Sequence, residues 1–78
     1  MYTVYILLCA DGSLYTGVAK DVAKRFLQHQ RGTGARYTRA HPPVKVVYTQ
    51  RKRTRAGALK REYALKQLTH SQKQQLVG

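Results

Sequence analysis

An α+β fold, a small three-stranded antiparallel sheet flanked by helices in the order β-β-α-β-α-α, is the architecture this sequence predicts. Three observations lead there. The apolar and β-branched run YTVYILLC is followed by an Asp-Gly turn signal and a second strand-like run, LYTGV. Two later stretches, DVAKRFLQHQRG and the segment from about Ala56 to Leu68, place their apolar residues at helical spacing. Between them VKVVYTQ alternates as a strand does. A chain of 78 residues without internal repeat or linker composition has room for one domain, residues 1–78, with a small core.

Residues 2–9 have no polar break after Thr3, so this strand is expected to be covered on both faces. The following turn sets the register. A two-residue turn would place Tyr5 and Tyr15 on opposite faces of the hairpin. A three-residue loop of Asp11, Gly12 and Ser13 with its bulge places them on one face, and this is the expected arrangement. Asp21 is a suitable N-cap and Gly32 a suitable stop for the first helix, whose apolar stripe is Val22, Ala23, Phe26 and Leu27. Arg25 and His29 lie one turn apart at the edge of that stripe, beside Val22, where they can face a common ligand.

The segment GTGARYTRAHPP is punctuated by Gly34, Pro42 and Pro43 and reads as a loop, with Arg36, Tyr37 and Arg39 interleaved. Tyr37 there either stacks on an unpaired base or packs back on the sheet. After the third strand, RKRTR at residues 51–55 is either a solvated turn or a contact to a phosphate backbone. Thr69 and Gln72 have capping-box spacing and start a short last helix, THSQKQQLV.

Charge narrows the function. Fifteen Lys and Arg oppose only Asp11, Asp21 and Glu62, a formal net charge of +12, and counterion release from a polyanion rewards such a surface. Nucleic acid is the expected partner. Cys9, the single cysteine, excludes an internal disulfide, lacks companions for a zinc site, and is expected to be a small apolar filler. No run approaches the roughly 18 apolar residues of a membrane span, and Met1 leads straight into a strand with no basic n-region. A cytoplasmic protein without membrane contact is expected.

Glu62, the only glutamate, lies on the helical wheel between Ala58 and Leu65 on one side and Leu59 on the other, in the arc facing the sheet. A carboxylate there needs a hydrogen bond, an ion pair or a metal. One reading pairs it with Lys66 at i+4, an interaction of about 0.2–0.5 kcal/mol on an exposed helix. The other makes it an oxygen ligand for Mg²⁺, which takes one or two carboxylates and completes its shell with water and phosphate. Asp11 belongs to the hairpin and Asp21 to the helix cap, so Glu62 is the one acid on offer.

VYI at residues 4–6, followed ten positions after Tyr5 by YTG at 15–17, resembles the paired motif of the GIY-YIG nuclease family. KDVAKRFLQH resembles that family's first helix with its arginine, GARYTRAHPPVKVVY the stretch before its third strand, and LKREYALKQL the helix bearing its metal-binding glutamate. The likeness runs from about residue 3 to 77 and is greatest to small stand-alone bacterial members. Val4 stands where Gly is usual and Thr16 where Ile is usual, both tyrosines and Gly17 being kept; Val18 stands where other members place a polar helper.

The resemblance implies a DNA endonuclease using Mg²⁺ or Mn²⁺, in a repair or recombination setting. It makes Tyr15, or alternatively Tyr5, the proton acceptor from the attacking water, a demanding role for a group titrating near 10. Arg25 would hold the scissile phosphate, His29 contact it or share the proton work, and Glu62 bind the metal. Lys20 and Lys24 at the first helix, Arg36, Tyr37 and Arg39 in the loop, and Arg51, Lys52 and Arg53 in the basic run are the expected DNA contacts. The alternative is a non-catalytic binding module that keeps the fold and needs a partner subunit. A homodimer spanning a duplex is a further expectation.

Overall fold

The computed structural model describes residues 1–77. Strands β1 (Tyr2–Cys9) and β2 (Leu14–Ala19) lead into helices α1 (Val22–Gln30) and α2 (Arg36–Ala40), then strand β3 (Pro43–Lys52) and helices α3 (Arg55–Lys66) and α4 (His70–Val77). The sheet order is β2-β1-β3 with both pairings antiparallel. This is the expected α+β architecture with one helix more.

The hairpin closes on a three-residue loop, as expected, but one position earlier. Gly12 N–H donates to Cys9 O and Cys9 N–H to Ser13 O, each at 2.9 Å, so the loop is Ala10, Asp11 and Gly12. Gly12 has φ 85, the left-handed geometry that glycine takes without strain. Because the loop keeps an odd length, Tyr5 pairs with Gly17 and Leu7 with Tyr15, and the two tyrosines share a face.

β1 is buried on both sides, Val4 through Leu7 being at most 2% exposed. Its even-numbered residues Val4 and Ile6 pack with Ala58 and Leu65 of α3, joined by Leu14, Val18 and Val47. By strand alternation the odd-numbered residues point to the opposite face, where Tyr5 meets His29 of α1. Cys9 is a buried free thiol, in keeping with a filler role.

α1 starts where expected, the Asp21 carboxylate accepting from Lys24 N–H at 3.0 Å, and Gly32 follows it with φ 77. Its inward face differs from the expected stripe. Ala23 is exposed and Leu27 is 50% exposed, while His29 is fully buried. On a wheel of about 100° per residue, Val22, Arg25, Phe26 and His29 form one continuous arc. The hydrogen bonds of His29 turn that arc inward at the expense of Ala23 and Leu27.

The segment expected to be a loop contains α2. Its glycine and proline punctuation brackets five residues whose Thr38 hydroxyl donates to Ala35 O at 3.0 Å, and Thr38 is 1% exposed. The RKRTR run is likewise divided. Arg51 and Lys52 extend β3 by pairing with Thr3 and Tyr2, Arg53 and Thr54 bend, and Arg55 opens α3. Thr54 caps that helix by accepting from Gly57 N–H at 3.0 Å. The expected capping box of α4 is present: Thr69 N–H donates to Gln72 Oε1 at 2.9 Å, and Gln72 N–H to Thr69 Oγ1 at 3.1 Å.

Candidate active site

Beside β2 lies a cleft of ≈ 290 Å³ whose walls include Tyr5, Tyr15, Arg25 and Glu62. Four of the five residues expected to do chemistry thus line one cavity, and the fifth, His29, sits behind it in contact with both tyrosines. The elements explain the convergence. Tyr5 and Tyr15 come from paired strands on one face, Arg25 from α1 above that face, and Glu62 from α3, which packs on the other face and reaches the cleft past β2. Gly17 opens the way. A Cβ at residue 17 would stand 2.5 Å from the Tyr5 hydroxyl, so only a bare backbone lets that phenol lie across β2 toward the cleft.

Tyr5 is 2% exposed, and its hydroxyl is 2.8 Å from His29 Nε2. Burial pushes its pKa up to about 12, with the Arg25 guanidinium offsetting part of the rise. His29 is pushed below the ordinary imidazole value, first by burial and then by the Arg25 charge, so it is neutral at neutral pH. Its Nδ1 lies 2.6 Å from Thr38 Oγ1. Tyr15 is half-buried, meets the His29 ring edge-on with centroids 5.2 Å apart, and stacks on Tyr37 at 5.8 Å and 18°. Among the described residues its hydroxyl has no hydrogen-bond partner. Tyr37 in turn leans on His41, whose Nδ1 is 3.0 Å from Asp11 Oδ2. Tyr37 thus packs on Tyr15 of β2 while remaining 39% exposed.

Arg25 is half-buried and donates through Nη1 to Gln28 Oε1 at 3.0 Å. Glu62 makes the expected pair with Lys66 and is also open to the cleft. Its side chain is 20% exposed and Oε2 lies 3.3 Å from Lys66 Nζ, yet the residue also lines the cleft. No group of three or more His, Cys, Asp or Glu side chains suited to a metal occurs among the described residues. One carboxylate on an open, basic cleft does fit a hard divalent cation that keeps most of its water and takes phosphate oxygens.

The expected DNA contacts divide. Lys20 lines the cleft, its ammonium 5.3 Å from the Tyr2 ring centroid. Lys24 is exposed on α1, and Arg36 and Arg39 are exposed on α2, Arg39 Nε donating to Gly32 O at 3.3 Å. Arg51 and Arg53 are exposed and Lys52 half-buried around the end of β3. None of these six cations lines the cleft. Arg55 does, although its sequence context reads as part of a basic turn. The spacing of Arg55, Leu59 and Glu62 at i, i+4 and i+7 is the signal that places it on the Glu62 face once the helix start is put at residue 55.

Residues 1–75 match the model of the GIY-YIG catalytic domain. The chain is 51% identical over 74 residues to a UPF0213 protein of Staphylococcus aureus, covering 95% of this chain and 90% of that one. It is 47% identical over 75 residues to a UPF0213 protein of Staphylococcus saprophyticus, covering 96% and 92%. Among solved structures, a UPF0213 protein of Bacillus halodurans is similar with a TM-score of 0.62 at 44% identity, over 99% of this chain and 83% of that one. A protein of E. faecalis is similar with a TM-score of 0.64 at 41% identity, over 96% and 80%. The names of these relatives state no activity. The paired tyrosine motifs, their shared face and a domain match over nearly the whole chain agree that this chain belongs to the GIY-YIG family and has its nuclease fold.

Proposed function

We propose that the protein is a metal-dependent endonuclease that hydrolyses DNA phosphodiester bonds in the cleft beside β2. The observation that carries this reading is the meeting of two phenols, a guanidinium and the only glutamate in a single cavity. A scissile phosphate seated there would meet Arg25, whose planar fork of donors suits phosphate oxygens and the charge they gain in the transition state. Lys20 and Arg55 supply further positive charge on the walls. Glu62 would hold Mg²⁺ or Mn²⁺. The chemistry such an ion supplies is neutralisation of charge on the phosphate and leaving oxygens.

Of the two phenols, the hydrogen bonding supports Tyr5 as the proton acceptor. Its hydroxyl lies 2.8 Å from Nε2 of neutral His29, and the Arg25 guanidinium favours the phenolate form that would take a proton from the attacking water. Burial, which holds its pKa at about 12, works against that form. The water oxygen bonds to phosphorus, the bond to the leaving oxygen breaks, and that oxygen is protonated by solvent. Tyr15, whose hydroxyl has no hydrogen-bond partner among the described residues, would hydrogen-bond the phosphate or the water.

The Lys66–Glu62 pair favours one rival, a binding module in which the carboxylate is only structural. A cleavage assay on duplex, branched and single-stranded DNA, with and without Mg²⁺, separates the two. Cleavage that needs Mg²⁺ and is lost in both Glu62→Ala and Arg25→Ala, with DNA binding retained, supports the hydrolase. Salt-sensitive binding without cleavage of any substrate supports the module.

A further inference from the structure

We propose that Leu59 and Tyr63 of α3 form a stacking platform for the base of an unpaired nucleotide beside the cleft, which therefore takes single-stranded DNA in preference to intact duplex. Tyr63 is 69% exposed, the highest value among the large apolar side chains described as exposed. Leu59, one helical turn earlier, is 41% exposed and also lines the cleft. Among the described residues no aromatic ring and no cation lies over the Tyr63 ring. A bare phenol ring next to leucine surface, at the mouth of a basic cavity, suits a flat uncharged group that is joined to an anion.

The register of α3 sets this surface at the rim. On a wheel of about 100° per residue, Glu62, Arg55 and Leu59 span an arc of about 60° that faces the cleft, and Tyr63 stands about 40° beyond Leu59. The core residues Ala58 and Leu65 lie on the other side of Glu62, so Tyr63 continues the cleft wall outward. Helical side chains incline toward the preceding turn, which for Tyr63 is the turn of Leu59. The two are i, i+4 neighbours and present one apolar surface.

Charge and shape name the occupant. Lys20, Arg25 and Arg55 line the cleft and call for an anion, and a chain of net charge +12 repels a second copy of itself. A nucleotide brings both halves of what the site offers to hold, a phosphate for the cations and a base for the rim. A positive groove bordered by an aromatic side chain is the arrangement that binds single strands with little regard to sequence. In a duplex each base is covered by its stacked neighbours, so α3 would meet only sugar and phosphate. An unpaired base presents its face to Tyr63 with no pair to open.

The consequence for cleavage rests on the hydrolase reading; the stacking contact does not, and binding measured without metal keeps the two apart. Fluorescence anisotropy with one oligodeoxynucleotide, as a single strand and as a duplex, compares the natural protein with Tyr63→Ser and Tyr63→Phe over a range of salt. At raised ionic strength, where the purely ionic contribution has faded, the natural protein should hold the single strand more tightly than the duplex. Tyr63→Ser should weaken single-strand binding by about 5- to 150-fold, the equivalent of about 1–3 kcal/mol for one stacked base, with duplex binding and the salt slope unchanged. Tyr63→Phe should keep the natural affinity. Removing single bases from the strand locates the contact: at one position the abasic change and Tyr63→Ser should be non-additive. Because the ring is exposed, the variant should fold as the natural protein does, which circular dichroism checks. Equal losses on strand and duplex, no loss on either, or additivity at every base overturns the proposal. So does self-association that depends on Tyr63, which would give the rim to a second copy. The expected binding pattern in a protein that cuts no DNA upholds the platform and removes the hydrolase.

Discussion

The two faces of β1 are made from alternate residues of one strand, yet they differ in chemistry. Val4 and Ile6 meet Ala58 and Leu65 in a dry core. Tyr5, one residue along, enters a hydrogen-bonded chain through His29 to Thr38. The dry face gains stability from area removed from water and is indifferent to direction. On the polar face each buried group must find a partner of the right sense, so it specifies geometry more than it adds stability. A small domain can therefore keep a dry core on one side of a strand and a hydrogen-bonded network on the other.

The comparison breaks most visibly under paired substitutions on adjacent residues. Ile6→Ala on the dry face should cost about 2–5 kcal/mol in denaturant unfolding. Tyr5→Phe should leave the fold in place and reduce DNA cleavage by about 10²–10⁴-fold, the usual contribution of a positioned proton acceptor. An active Tyr5→Phe would transfer the role to Tyr15. Gly17→Ala comes next. The added methyl would stand 2.5 Å from the Tyr5 hydroxyl, so the phenol must move, and a displacement of that kind costs on the order of 10²-fold in rate.

Ionisation sharpens the same contrast, because burial opposes charge at both ends of the Tyr5–His29 pair. The unfolded Tyr5 phenol ionises near 10 and the folded one at about 12, so stability is complete below the first value and declines as pH rises between them. The decline should be on the order of 2–3 kcal/mol. An ultraviolet titration should show one tyrosine ionising late, and Tyr5→Phe should remove it. For His29, whose folded value lies below the ordinary 6.5, the unfolded chain takes up the proton first as pH falls. Stability is complete above 6.5 and is lost progressively below it, and His29→Gln should flatten that slope in acid unfolding curves.

The smallest effect tests a buried hydroxyl on the dry face. Thr16 is 2% exposed, and by strand alternation it points to the side of Ile6, where its hydroxyl has no hydrogen-bond partner. Thr16→Val keeps the shape and removes the unsatisfied group, and should raise stability by about 1 kcal/mol in chemical denaturation. A loss of stability instead would mean that the hydroxyl is satisfied by a water molecule.

Much of the fold was legible because its signals are local. The hairpin, the Asp21 cap, the Thr69–Gln72 box and the shared face of Tyr5 and Tyr15 follow from short-range patterns of spacing and turn chemistry. The paired tyrosine motifs, with Arg25 and Glu62 at their positions, marked the cleft. Less visible was whatever depends on a partner distant in the chain. The periodicity of α1 selected Leu27 for the interior, where His29 is found. Loop punctuation concealed α2, and a basic run concealed Arg55.

Residue order by itself determined the alternation of β1, the odd-length turn that puts two phenols on one side, and the scarcity of acid that makes Glu62 conspicuous. Only the tertiary structure decided which way α1 turns, which hydroxyls meet His29, and that Glu62 reaches the cleft while also pairing with Lys66. The physical reason is the range of the interactions. Strand and cap preferences act over a few residues, whereas a buried histidine takes its orientation from hydroxyls that are 24 and 9 positions away and meet only when the chain has folded.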